Sequence, residues 1–266
     1  MKLGLIGCGF MGEAMLSATI ARGVVAPADV AVAEINDERC SLIASRHGVR
    51  TTQDPAAVID ESEIVVFAVK PQEFDNTAHH LHGRFRREQT IVSIMAGVPI
   101  DKIQRALSHT AIVRVMPNTL AAIGEAISVW SATSEVDSAA RAQIAALLGA
   151  LGQEIYVEDE KYLDMATALS GSGPGFVYLL IEAFVDAGVH IGFRRDVAEK
   201  LVLQTFIGSA KYAGATGKHP AQLRNEVTSP AGTTAAGLLV LEDAGVRGAI
   251  IDAIEAAFER SRELGA

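Results

Sequence analysis

Six residues near the start constrain this chain more than any others: Gly7-Cys8-Gly9-Phe10-Met11-Gly12. A G-x-G-x-x-G hexad carries little information alone in a chain with 24 glycines. Its setting gives it meaning. The apolar run Leu3–Ile6 precedes it and reads as a buried strand, while Met11–Arg22 follows with small and apolar residues at Met11, Ala14, Met15 and Ala18, a helical stripe closed by Gly23. Between a strand and a helix, the first glycine permits the tight turn. The second admits backbone N–H groups to a pyrophosphate, and the third lets helix and strand pack closely. The helix N-terminus adds partial positive charge for phosphates. Cys8, close to that N-terminus, is expected to be a small filler whose thiol pKa is open to lowering.

Glu34 lies 22 positions beyond Gly12, at the end of the next β-rich run, Val30–Ala33. A carboxylate there accepts both hydroxyls of an adenosine ribose and repels a 2′-phosphate, which favours NAD(H) over NADP(H). Arg39, Arg46 or Arg50 could still bring a guanidinium to a 2′-phosphate. Further apolar runs at Ile64–Val69, Thr90–Ile94, Ile112–Val115, Ile127–Trp130 and Ile155–Val157 have the composition of strands buried on both faces. At their ends, where parallel sheets bind ligands, stand Ala68-Val69-Lys70-Pro71, Ala96-Gly97 and Met116-Pro117-Asn118-Thr119. Small residues and a proline turn there leave room for a nicotinamide ring. Asp54-Pro55 and Pro99 mark helix starts between strands. The expected fold is α/β, doubly wound over residues 1–159.

After Glu158-Asp159-Glu160 the strands stop. Residues 160–266 offer helical segments Tyr162–Leu169, Gly175–His190, Val197–Tyr212, Thr234–Glu242 and Arg247–Leu264, separated by Gly, Pro and Ser clusters. Gly175–His190 is apolar nearly all round, as a helix is when other chain surrounds it, so a subunit interface is expected. No run reaches the twenty apolar residues a bilayer needs, and the net charge of −9 disfavours nucleic acid or an anionic membrane as partner. Two cysteines, Cys8 and Cys40, cannot make a disulfide framework and suit a reducing, cytoplasmic setting.

C-x-x-C, H-E-x-x-H and G-x-S-x-G are absent, which removes the zinc and serine hydrolase readings. The β-hydroxyacid dehydrogenases, which join a similar pair of domains, carry a lysine after a Gly-x-Gly turn to handle an alcohol proton. Here the turn is Gly171-Ser172-Gly173 and the lysine position holds Val177. A substrate that needs no protein base, such as a protonated C=N bond, fits better. A dinucleotide-binding protein without catalysis is the remaining alternative.

The hexad, Ala68-Val69-Lys70-Pro71, Ser170-Gly171-Ser172-Gly173-Pro174 and above all Val227-Thr228-Ser229-Pro230-Ala231-Gly232-Thr233-Thr234, continuing through Gly237-Leu238 to Leu241-Glu242, resemble the pyrroline-5-carboxylate reductase family along essentially the whole chain. That resemblance implies an N-terminal Rossmann-type dinucleotide-binding domain (1–159) and an all-helical substrate-binding and dimerisation domain (160–266). It implies reduction of 1-pyrroline-5-carboxylate to L-proline by NAD(P)H, the last step of proline biosynthesis, in a homodimer that can assemble into a decamer. The active site would lie between one subunit's cofactor and a loop of the helical domain, completed by the partner. The cofactor site would comprise Gly7, Cys8, Gly9, Phe10, Met11, Gly12, Glu34, Ala68, Val69, Lys70, Pro71, Ala96, Gly97 and Asn118. The substrate would meet Ser229, Gly232, Thr233 and Thr234, with the Thr234 hydroxyl at the ring nitrogen as the catalytic group. No metal is implied. Three positions depart from the family pattern: Ala231 stands where glycine is more usual, Gly175 where alanine is, and Glu34 where NADPH-using members carry a small polar residue beside a basic one.

Overall fold

In the computed structural model, which describes Met1–Gly265, the first part of the chain alternates strand and helix. It runs β1 (Leu3–Ile6), α1 (Phe10–Ala21), β2 (Val30–Ala33), α2 (Asp37–His47), β3 (Arg50–Thr52), α3 (Pro55–Glu61), β4 (Ile64–Phe67), α4 (Phe74–Leu81), β5 (Thr90–Ser93), α5 (Ile100–Leu107) and β6 (Ile112–Met116). β7 (Ala126–Ala132), α6 (Ser138–Gly149) and β8 (Gly152–Tyr156) complete it. One sheet holds all eight strands in the order β3-β2-β1-β4-β5-β6-β7-β8. Only the β6–β7 pairing is antiparallel. Every residue of β1, β2, β4 and β5 is buried, the consequence of helices covering both faces of a parallel sheet. The α/β reading of the sequence holds.

β3 escapes the sequence because it is a three-residue edge strand with Arg50 exposed and no apolar run. β7 alternates buried and half-buried residues over most of its length. Caps set several helix starts: Asn36 accepts from the Arg39 N–H at 2.9 Å, Asp54 from Ala56 at 2.9 Å and Asp137 from Ala140 at 2.8 Å.

The rest of the chain is helical throughout the described residues: α7 (Lys161–Ala166), α8 (Gly173–His190), α9 (Arg195–Thr216), α10 (Pro220–Glu226), α11 (Thr233–Asp243) and α12 (Val246–Gly265). A π-helical turn, Thr167–Gly171, joins α7 to α8, closed by the Ser172 N–H donating to the Thr167 carbonyl at 2.8 Å. The glycine-rich break expected there is therefore a bulge in one helical run, Lys161–His190, and that run is long and apolar enough to cross a membrane by length and composition alone.

Two compact units emerge: Met1–Ser172 together with the end of α12 from Ala257, and Gly173–Ala256. The division falls a dozen residues beyond the change of composition at residue 160, because α7 is tied into the first unit. Arg114 on β6, only 4% exposed, donates to Glu160 Oε1 at 2.7 Å and Asp164 Oδ1 at 3.0 Å. Glu160 also accepts the Ile100 N–H at 2.8 Å, and the Ser261 hydroxyl of α12 donates to Asp164 at 3.3 Å.

Candidate active site

The hexad occupies the turn from β1 to α1, where the strand order reverses direction between β1 and β4, the position at which doubly wound sheets take ligands. Its three glycines have three distinct reasons. Gly7 sits at φ +82°, and a Cβ on it would meet Val69 Cγ1 at 2.9 Å. A Cβ on Gly12 would lie 2.9 Å from the Gly7 carbonyl oxygen and 3.2 Å from Ala68 Cβ, so α1 packs down on the loop and on the end of β4. A Cβ on Gly9 would meet nothing within 4 Å. The chain has left open space there, the cradle that a phosphate needs and a side chain would fill.

A pocket of about 820 Å³ opens over this loop. Gly7, Cys8, Gly9, Glu34, Ala68, Val69 and Lys70 all line it, so the structure brings together residues that the sequence scatters over three strand ends. Gln53, Gln72 and Asn76 also line it and carried no sequence signal, being isolated polar residues in short helices and turns, as does His80 of the His79-His80-Leu81-His82 cluster. Phe10 and Met11 begin α1, with Phe10 exposed, and Pro71 opens the 3-10 turn after Lys70.

Glu34 faces the loop. Its Oε2 accepts the Cys8 N–H at 3.0 Å and its Oε1 the Asn36 N–H at 3.3 Å. From the other side the Arg39 Nε donates to the Cys8 carbonyl at 2.8 Å. Cys8 is thus held at both ends of its backbone, with its side chain fully buried. Burial, reinforced by Glu13, pushes its thiol up to about 12, opposite to the lowering that a helix N-terminus alone would give. Desolvation outweighs the helix dipole here, and Cys8 is inert packing.

Around the ends of β5 and β6 the picture differs from expectation. Gly97 has φ +72°, and a Cβ on it would lie 3.1 Å from Leu264 Cβ, so its small size serves the end of α12 as well as any ligand. Asn118, 5% exposed, donates its Nδ2 to the Ser170 carbonyl at 3.2 Å. Its Oδ1 is left buried without a partner, an acceptor that a carboxamide N–H would satisfy. With the open cradle at Gly9, that acceptor makes the residues fit a nicotinamide dinucleotide.

In the second unit, Ser229-Pro230-Ala231-Gly232 leads into α11. Gly232 is the N-cap residue, and no side chain caps the helix. A Cβ on Gly232 would sit 2.3 Å from Ser229 Oγ and 3.1 Å from the Ser229 carbonyl oxygen, so any larger residue there would require the Ser229 hydroxyl to turn away. The first-turn N–H groups of Thr233, Thr234 and Ala235 have no intrahelical partner, the arrangement that receives a carboxylate. Ala231 adopts φ +56°, the left-handed region, where the family pattern prefers glycine. Val177, the position of the dehydrogenase lysine, lies on α8. Among the described residues no group of three His, Cys, Asp or Glu could hold a metal ion.

A Rossmann-type sheet with its glycine-loop pocket, followed by helices, defines the class: a dinucleotide-dependent oxidoreductase. Residues 160–264 match the profile of pyrroline-5-carboxylate reductase dimerisation, and residues 2–97 that of NADP oxidoreductase, coenzyme F420-dependent. The chain is 41% identical over 265 residues to a pyrroline-5-carboxylate reductase of Synechocystis sp., covering 100% of this chain and 98% of the relative. It is 39% identical to that of Arabidopsis thaliana, covering 99% and 95%. The solved Plasmodium falciparum pyrroline carboxylate reductase with NADP bound superposes with a TM-score of 0.91 at 29% identity, covering 100% of this chain and 98% of that one. This chain belongs to the pyrroline-5-carboxylate reductase family.

Proposed function

We propose that this protein reduces the C=N bond of 1-pyrroline-5-carboxylate to L-proline with NAD(P)H, the last step of proline biosynthesis, as a homodimer. The start of α11 carries the reading: with Gly232 as N-cap and no side chain bonded to the first turn, free N–H groups stand beside the hydroxyls of Ser229 and Thr233, a set that suits a small carboxylate.

When bound, the reduced nicotinamide supplies a hydride to the imine carbon. The hexad and Ala68-Val69-Lys70-Pro71 would hold the phosphates and nearer ribose, and Ala96-Gly97 and Asn118, whose Oδ1 has no partner, would hold the nicotinamide end. Glu34 takes the adenosine ribose hydroxyls and favours NADH. The α11 loop fixes the substrate carboxylate, and Thr234 holds the ring nitrogen so that the imine carbon has one accessible face. No residue need remove a proton, since a protonated imine already carries the charge that draws the hydride.

Residues 160–266 act as the substrate-binding and dimerisation domain. The run Lys161–His190 is not assigned to a bilayer, because its α7 end is tied to the sheet through Asp164 and Arg114; its exposed α8 part is assigned to a partner subunit. Decamer assembly and a cytoplasmic location complete the reading. Loss of absorbance at 340 nm from NADH or NADPH on adding 1-pyrroline-5-carboxylate tests it. Proline formed in step with cofactor oxidised is the expected result, and substrate-independent or absent oxidation with both cofactors overturns it.

A further inference from the structure

We infer that Arg39 is the residue that reads a cofactor's 2′-phosphate, presenting a preformed two-pronged edge that Glu13 and the Cys8 carbonyl hold in place. This rests on the proposed reading of the glycine-loop pocket as the dinucleotide site. Three arginines follow β2 in the sequence, and the structure separates them. Arg50 pairs with Glu61 and lines a different, small pocket with Lys2 and Ser62. Arg46 binds Glu13 Oε1 at 2.5 Å and does not line the dinucleotide pocket. Arg39 lines that pocket, beside Glu34.

Arg39 is anchored along one edge of its guanidinium. Nε donates to the Cys8 carbonyl at 2.8 Å and Nη2 to Glu13 Oε2 at 2.8 Å. Those two nitrogens form one fork. The opposite edge, Nη1 with the second Nη2 hydrogen, has no acceptor among the described residues, and parallel N–H groups of that kind bind phosphate oxygens bidentately. The anchoring removes most of the rotamer freedom that a free arginine would lose on binding. Glu13 is itself fixed by two arginines, Arg39 and Arg46, and by His47, whose Nε2 lies 3.2 Å away. Burial raises its pKa, but the bonds from His47, Arg46 and Arg39 outweigh that and hold it below the ordinary glutamate value, so the anchor stays charged.

The rival cation is Lys70, which also lines the pocket. It follows β4, on the other side of β1 from Glu34, whereas the ribose 2′ position belongs at the end of β2. Glu34 and Arg39 therefore stand together at that position with opposite preferences. Glu34 favours a free hydroxyl and Arg39 a phosphate, so the site accepts both cofactors, and removing either residue tips the balance.

Calorimetric binding of adenosine 5′-monophosphate and adenosine 2′,5′-bisphosphate to the full-length protein tests this without substrate or hydride transfer. The two probes differ only in the 2′-phosphate. Arg39→Lys should weaken the bisphosphate about tenfold or more relative to the monophosphate, and Glu34→Gln should shift the ratio the other way. Arg50→Gln should leave the ratio within about twofold, since Arg50 pairs with Glu61 outside the pocket and acts on it only through screened solvent. An unchanged ratio in Arg39→Lys, or an equal shift from Arg50→Gln, overturns the assignment. If wild type binds neither probe, the pocket reading falls and the inference with it; proline synthesis failing while the probes bind as expected would overturn only the proposed reaction.

Discussion

The two compact units are built on opposite terms. The first buries complete strands and nearly all of the large side chains that are fully shielded, among them Phe67, Phe74, Met15 and Leu16. The second, Gly173–Ala256, fully buries only Val185 and Ala198 in the single chain. Leu179, Leu239, Val240 and Ile251 are each more than 60% exposed there. A surface that apolar belongs against protein, and the dimerisation profile over residues 160–264 says what kind. The first unit carries its own core, while the second borrows one. The pocket over the glycine loop is thus formed by one chain alone, whereas the loop proposed for the substrate sits on helices with little core of their own.

Three perturbations press on that difference. The largest acts at the seam. Replacing Glu160 and Asp164 together by alanine leaves Arg114 buried and unpaired, which should cost about 3–5 kcal/mol in denaturant unfolding. That loss should not depend on protein concentration, because the pair closes within one unit. A strongly concentration-dependent loss would mean that α7 belongs to the assembly and not to the sheet. Next, Leu179→Glu on α8 should weaken association by about 2–4 kcal/mol, read by light scattering, and abolish turnover. Binding of adenosine 5′-monophosphate should survive, since its pocket lies in the first unit. A stable, active monomer would end the borrowed-core account.

The smallest effect is on pH dependence. Glu13 has its pKa lowered in the folded chain, so its bonds to Arg39, Arg46 and His47 contribute stability above the unfolded carboxylate value. That contribution disappears as pH falls through the lower folded value. Thermal melts from pH 7 to about 3 should show Glu13→Gln destabilised at neutral pH and converging on wild type in acid. Parallel curves would mean that Glu13 titrates alike in both states.

Legibility in the sequence followed burial and chain distance. β1, β2 and β4 stand out because strands covered on both faces read as nearly continuous apolar runs. β3 and α10, short and polar, left no periodic mark. The hexad announced its turn because backbone conformation is a local matter. The reason for Gly97 was hidden, since Leu264 meets it from the far end of the chain. The Glu13–Arg39 anchor was equally hidden: it joins two helices through side-chain reach, which no spacing rule encodes. The family motif is what proposes Thr234 and its loop for the substrate, whereas residue types alone favour a plain helix start.

The division of labour between the units comes down to Thr234. Its hydroxyl is assigned to the substrate and nothing in the cofactor pocket depends on it. Steady-state kinetics of Thr234→Ala with 1-pyrroline-5-carboxylate, paired with calorimetric NADP(H) and NAD(H) affinities, should show kcat/KM lowered by about 10- to 1000-fold and cofactor affinity within about twofold of wild type. Wild-type turnover, or a matching loss of cofactor affinity, would contradict the assignment of substrate to the helical unit and cofactor to the sheet.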